Sequence, residues 1–194
     1  MIKYCFILMA LGVAACNRPA KNKMTADSTA RRPEQAGQAI SPCLLIAPGR
    51  SIGRIKLGGN ADSLINLLGK PDLQDAAMGA SMMTWFEGHD TSAYRVTVYA
   101  HHNFGAKDEA VSHIKQIRIT SPAYQTAERL HTGSNLNDIA TQYHLTAHRS
   151  NNGKDSIYDD NRAGIAFEIN SSGKCAAIRV HLPGDSLSAY LNML

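Results

Sequence analysis

The stretch Gly49-Arg50-Ser51-Ile52-Gly53 has the G-x-S-x-G spacing of a nucleophile elbow, which sets a serine on a sharp strand-to-helix turn. An apolar run, Cys43-Leu44-Leu45-Ile46-Ala47, precedes it as a strand would. The chemistry needs a helix directly after the serine. Ser51 instead leads into Ile52-Gly53-Arg54-Ile55-Lys56-Leu57-Gly58-Gly59, glycines among alternating apolar residues, and no strand–helix–strand alternation builds a hydrolase sheet. Gly49 and Gly53 are therefore expected to serve turns. Gly69-Lys70 fails as a phosphate loop, because Pro71 stands where a hydroxyl should hold Mg²⁺.

The remaining chemical side chains do not assemble a site by spacing. His101 and His102 are adjacent, so in a strand they point to opposite faces. His144 and His148 have helical ligand spacing, but no carboxylate or thiol recurs near them at ligand spacing. Glu87, Asp90, Asp159 and Asp160 fall beside strand ends and turns and read as solvated acids. The expectation is a protein that is not an enzyme, with no cofactor and no metal.

The N-terminus carries the clearest chemistry. Met1-Ile2-Lys3 is a short basic start, and an apolar run over 4–13 is too short to span a bilayer. It ends in Val13-Ala14-Ala15-Cys16, which resembles the lipobox of bacterial lipoproteins. That resemblance implies cleavage before Cys16 and its acylation, which anchors the chain to a membrane. Residues 1–15 are then a signal peptide. Two thiols remain in an oxidising compartment, Cys43 and Cys175, and they are either bridged or unrelated.

The formal net charge is +4 over 194 residues. Lys3 supplies one of these charges; over 17–41, Arg18, Lys21, Lys23, Arg31 and Arg32 face only Asp27 and Glu34, and from residue 42 on acids and bases balance. Basicity thus belongs to residues 16–41, a polar stretch with too little apolar surface to order itself, read as a flexible tether. A folded part without basic excess argues against nucleic-acid binding.

The elements must come from residues 42–194. Gly58-Gly59-Asn60-Ala61 through Leu68 aligns without gaps on Gly133-Ser134-Asn135-Leu136 through Tyr143. Each stretch offers helix-capping polar residues and an apolar stripe: Ala61, Leu64, Ile65 and Leu68, then Leu136, Ile139, Ala140 and Tyr143. Strand patterns come next at 81–86, 94–101 and 111–120, and again at 156–159, 164–169 and 175–182. Ile117-Arg118-Ile119 matches Ile178-Arg179-Val180. Hairpin turns are expected at 151–153 and 171–174, and a short helix over 185–194. The expected fold class is α+β: two tandem helix-plus-three-stranded-meander repeats, 42–121 and 122–194, forming an antiparallel sheet with both helices on one face.

Ile55-Lys56-Leu57-Gly58 followed by Leu67-Leu68-Gly69-Lys70-Pro71 resembles the signature of the BamE-like outer-membrane-assembly lipoproteins. Their fold is shared in broad outline by the tandem-repeat β-lactamase inhibitory proteins. The second stretch departs from it, with His144 in place of Gly69 and no proline after it. The resemblance implies binding rather than catalysis. It carries no contact residues over.

If the alternating apolar residues face the helices, the opposite parity collects Arg95, Thr97, Tyr99, His101, Gln116, Arg118, Glu168, Arg179 and His181 on an open face, with Cys175 beside them. Such a set suits a protein-binding patch, and it equally suits a merely solvated face. The resulting expectation is a membrane-anchored envelope lipoprotein, held by acylated Cys16 in an outer membrane and facing the periplasm. It would act as a non-catalytic binding or scaffold module for an envelope protein. The alternative is a periplasmic inhibitor or small-ligand-binding lipoprotein.

Overall fold

A computed structural model of the protein describes residues 39–149 and 155–185. The expected signal peptide, Cys16, most of the expected tether, the expected 151–153 turn and the expected C-terminal helix all fall at residues outside these, Asp185 excepted.

The chain begins with a single 3-10 turn at Pro42–Leu44 and three very short strands, β1 Leu45–Ala47, β2 Ser51–Ile52 and β3 Ile55–Lys56. Helix α1 spans Ser63–Leu68. Four strands come after it: β4 Leu73–Ala77, β5 Ala80–Phe86, β6 Arg95–His102 and β7 Ser112–Ile119. A two-residue strand, β8 Gln125–Thr126, precedes helix α2 at Leu136–Ala140. The chain then forms β9 Thr146–Arg149, β10 Ser156–Asp160, β11 Ile165–Ile169 and β12 Cys175–His181.

These make two sheets. The large one has eight strands in the order β4-β5-β6-β7-β12-β11-β10-β9, and the small one runs β3-β2-β1-β8. The large sheet is antiparallel throughout. In the small sheet, β1 and β8 pair in parallel.

The fold is therefore mostly β, and the expectation of two helix-plus-three-stranded-meander repeats in an α+β fold is overturned. Each half of the large sheet is a four-stranded meander. The helices are six and five residues long, far below the length at which a helix is stable by itself. Only Leu64 of α1 and Ile139 of α2 are buried, whereas Ile65 and Leu68 of the expected stripe stand exposed. Gly69, at φ 82°, ends α1 directly after Leu68. Part of the layer expected from helices comes instead from the small sheet, whose Ile46, Ile52 and Ile55 pack into the core with Val98, Ile117, Phe167 and Ile178 of the large one.

The two aligned stretches nevertheless occupy matching positions. Gly58 N–H donates to the Ile114 carbonyl (2.7 Å), Ile114 N–H to that of Gly59 (2.9 Å), and Ala61 N–H to that of Ser112 (2.8 Å). In the second half Gly133 N–H donates to Cys175 (2.8 Å), Cys175 N–H to Ser134 (2.9 Å), and Leu136 N–H to Gly173 (3.0 Å). Each trio of bonds clamps a short helix across the start of a central strand. One extra residue then bulges in each of those strands: Lys115 between the pairs Ala100↔Ile114 and Tyr99↔Gln116, and Ala176 between Ile169↔Cys175 and Glu168↔Ala177.

The G-x-S-x-G stretch is accounted for by this architecture. Ser51 lies in β2, between two turns rather than before a helix. Gly49 donates to the Gly164 carbonyl at 3.1 Å, and Gly53 to that of Leu45 at 2.8 Å. Both have positive φ, and a Cβ on Gly53 would sit 2.4 Å from the Cys43 carbonyl oxygen.

Candidate functional site

Cross-strand register shows which side chains share a face. Thr97 pairs with Arg118, Arg118 with Arg179, Arg179 with Ala166 and Ala166 with Asp159; in the next row Tyr99 pairs with Gln116 and Gln116 with His181. These residues lie on the side opposite Val98, Ile117, Ile178 and Val180, as alternation requires. The expected open binding face is, however, largely closed. Thr97, Gln116, Arg118, Glu168, Arg179 and His181 are buried, and Arg95, Tyr99 and His101 are half-buried.

The charged side chains of this face pair with one another. Arg118 grips Glu168 with two bonds, Nε to Oε1 at 2.6 Å and Nη2 to Oε2 at 2.7 Å. Arg179 Nε donates to the same Oε1 at 2.6 Å, and its Nη1 reaches Gln116 Oε1 at 3.4 Å. Burial pushes the Glu168 carboxyl up, but the two guanidinium groups outweigh it and hold its pKa below the usual range. Two arginines drawn down onto one carboxylate form a charged seam along the sheet centre rather than a set of free contacts.

Beside this seam, His181 Nε2 meets Asp159 Oδ1 at 3.0 Å, and both side chains are essentially inaccessible. Burial lowers the His181 pKa, but the bond to Asp159 and its charge prevail, and the net shift is upward. With the ring fully buried, no substrate from solvent reaches it in this conformation. Reading Asp159 and Asp160 as solvated acids is thus corrected. Asp160 accepts from the backbone N–H groups of His144 (2.8 Å) and Ala163 (3.0 Å), pinning the loop before β9 to the turn after β10.

The possible Cys43–Cys175 bridge is corrected too: both are free thiols. The bulge at Ala176 shifts parity, so Cys175 turns into the apolar core instead of the polar face. There its thiol bonds the Ala177 carbonyl at 3.3 Å, and burial pushes its pKa up to about 12. Cys43 is exposed. Among the described residues, no group of three or more His, Cys, Asp or Glu is placed to hold a metal. No helix there is long and apolar enough to cross a membrane.

Two exposed features remain, and neither is visible from sequence spacing. The first is the outer edge of the large sheet at β4, where all five residues are exposed. Ala77 opposite Ala80 closes a two-residue turn through Met78 (φ 51°) and Gly79 (φ 78°). Met78 is 94% exposed at its tip, and the 63%-exposed Phe104 lies over Gly79. His101 and His102 contact the Phe104 ring, at centroid distances of 5.6 and 6.3 Å.

The second is a cleft of about 330 Å³ at the other end of β5 and β6. Trp85, Glu87, Tyr94, Val96, Ile119 and Tyr124 line it. Trp85 Nε1 donates to the Gly69 carbonyl at 2.9 Å, which fixes the indole. Glu87 N–H donates to the Tyr94 carbonyl at 2.8 Å, closing the loop between the strands. Burial, then the nearby Cys43, raises the Tyr124 pKa.

No protein-family model matches the chain, and no curated protein matches it. One solved structure similar to it is an extracellular protein containing a SCP domain from Bacillus anthracis str. Ames, at 12% identity and a TM-score of 0.40. The likeness covers 68% of this chain and 45% of that one. A likeness of that size carries no inference about function.

Proposed function

We propose that the protein is a lipid-anchored lipoprotein of the bacterial envelope whose folded part is a non-catalytic docking module. Its anchor is Cys16, after the signal-like run that ends Val13-Ala14-Ala15. Its docking element is the β4 edge, which receives an extended segment of an envelope protein as an added strand. The exposed edge carries this reading. Antiparallel alternation leaves the backbone groups of Gln74 and Ala76 turned away from β5, and no proline or lysine guards them. Met78 and Phe104 offer apolar anchors beside that edge.

The test is photo-crosslinking in cells from a reactive residue at Asp75 or Met78, with Arg162 as a distant control. One partner, joined through an extended segment at the β4 positions and lost in Ala76→Pro, is expected. Proline is tolerated on an edge strand where its nitrogen faces solvent, so folding is retained. Equal crosslinking from all three positions would remove the edge from the proposal. The anchor is checked separately: Cys16→Ser abolishes fatty-acid labelling and releases the protein from membranes.

The second reading, capture of a small ligand, is favoured by the aromatic cleft at the far end of the sheet.

A further inference from the structure

We infer that the cleft at the end of β5 and β6 binds an organic cation, an ammonium or quaternary ammonium group, between the rings of Trp85, Tyr94 and Tyr124 and beside the Glu87 carboxylate. This inference rests on reading the cleft as a ligand site. Trp85 in β5 and Val96 in β6 lie on the core side of the sheet; Glu87 opens the 3-10 turn Glu87–His89 that follows β5, and Tyr94 directly precedes β6, so both flank the cleft from the loop between the strands. Register places Trp85 opposite Val96, and Val96 opposite Ile119. Tyr124 closes the cleft from the connection toward β8.

The cleft is lined by three electron-rich rings, of which Trp85 is mostly buried, together with Val96, Ile119, Ala123, Ser121 and the acidic residue Glu87. Phe86 and Arg95 also border the cleft. As paired residues they share the opposite side, where Arg95 is influenced by Arg118 and Glu168 of the charged seam. The guanidinium thus belongs to the other face of the sheet. Among the described residues, Trp85, Tyr94 and Tyr124 make no ring contact with one another. Space is left between them, and the volume is at the lower end of that of small-molecule sites. Ring faces attract a cation through their quadrupoles, indole most strongly, and a neighbouring carboxylate adds charge complementarity. A neutral ligand of the same shape would gain from the apolar walls but not from either of those effects.

Trp85 is the chain's single tryptophan, so its fluorescence reports directly on the cleft. The experiment titrates the detergent-solubilised full-length lipoprotein with choline, with an Nα-acetylated lysine amide, and with 3,3-dimethylbutanol, the neutral isostere of choline. A saturable change with a cation is expected, weakened about 3–30-fold by Tyr94→Leu and to a similar degree by Glu87→Gln. Both side chains are exposed, so the fold is retained. Choline binding better than the lysine amide assigns the cleft to a free small ligand. The reverse order assigns it to a basic side chain of a partner. Equal affinity for the neutral isostere overturns the cation assignment while leaving a ligand site. No saturable change with any of the three overturns the site itself.

Discussion

Gly53 and Gly58 both have positive φ and differ in what surrounds them. A Cβ at Gly53 would lie 2.4 Å from a backbone oxygen, whereas at Gly58 nothing lies within 4 Å. Gly58→Ala therefore incurs only the conformational cost, about 1 kcal/mol. Gly53→Ala must also displace the Cys43 backbone and is expected to cost about 2–3 kcal/mol. Chemical denaturation of the two variants reads the difference. Equal losses would mean that the turn at Gly53 yields freely, and that the G-x-S-x-G spacing is not held by packing. The Glu168 carboxylate is a second residue-scale determinant. Glu168→Gln leaves Arg118 and Arg179 buried without their shared counter-charge, and a loss of about 3–5 kcal/mol is expected.

At the scale of elements, the strands that alternate β-branched or aromatic residues with polar ones were legible: β5, β6, β7, β10, β11 and β12 fall within a residue or two of their expected positions. Strand β4 (Leu-Gln-Asp-Ala-Ala) and β9 (Thr-Ala-His-Arg) were not, because their side chains have little strand preference and edge pairing alone holds them. Strands of two or three residues, such as β2 and β8, are too short to show any period. The polar face was legible as a set and illegible as a site. Alternation says which side Arg118, Glu168 and Arg179 occupy, but a carboxylate shared by two buried arginines is a property of three strands at once. Cys175 was misplaced for a related reason: a bulge shifts parity, and nothing in Cys175-Ala176-Ala177 announces one. The seam itself makes a prediction. Replacing all three charges together, as Arg118→Leu, Glu168→Met and Arg179→Leu, removes the desolvation cost along with the pairing. Stability should then stay within about 2 kcal/mol of the parent, although Glu168→Gln alone costs more. Thermal melts with urea titrations test this. A triple variant as damaged as the single one would mean that the seam contributes more than mutual neutralisation.

Across the whole molecule these groups set how stability depends on pH. The carboxyls of Asp72, Asp90, Glu128 and Glu168 are all held below their ordinary pKa values. For Asp72 and Asp90 the largest cause is a backbone N–H bond, from Phe86 and Ser92 respectively. For Glu128 and Glu168 burial acts upward first and hydrogen bonding prevails. A depressed carboxyl contributes stability above its unfolded pKa and loses that contribution as pH falls through the folded one. His181 works in the opposite direction. Its folded pKa is raised, so its contribution is complete below the unfolded value of about 6.5 and disappears as pH rises through the folded value. Asp159 and Asp185 are the charges acting on it, and Gln116 is its cross-strand neighbour. The expected profile has its maximum between the unfolded carboxyl range and about pH 6.5, with an acid limb from the carboxyls and an alkaline limb from His181. Urea unfolding from pH 3 to pH 9 measures both limbs. Glu168→Gln should flatten the acid limb and leave the alkaline one, and Asp159→Asn should do the reverse. An alkaline limb unchanged in Asp159→Asn would mean that the His181–Asp159 bond is not what retains the proton in this sheet.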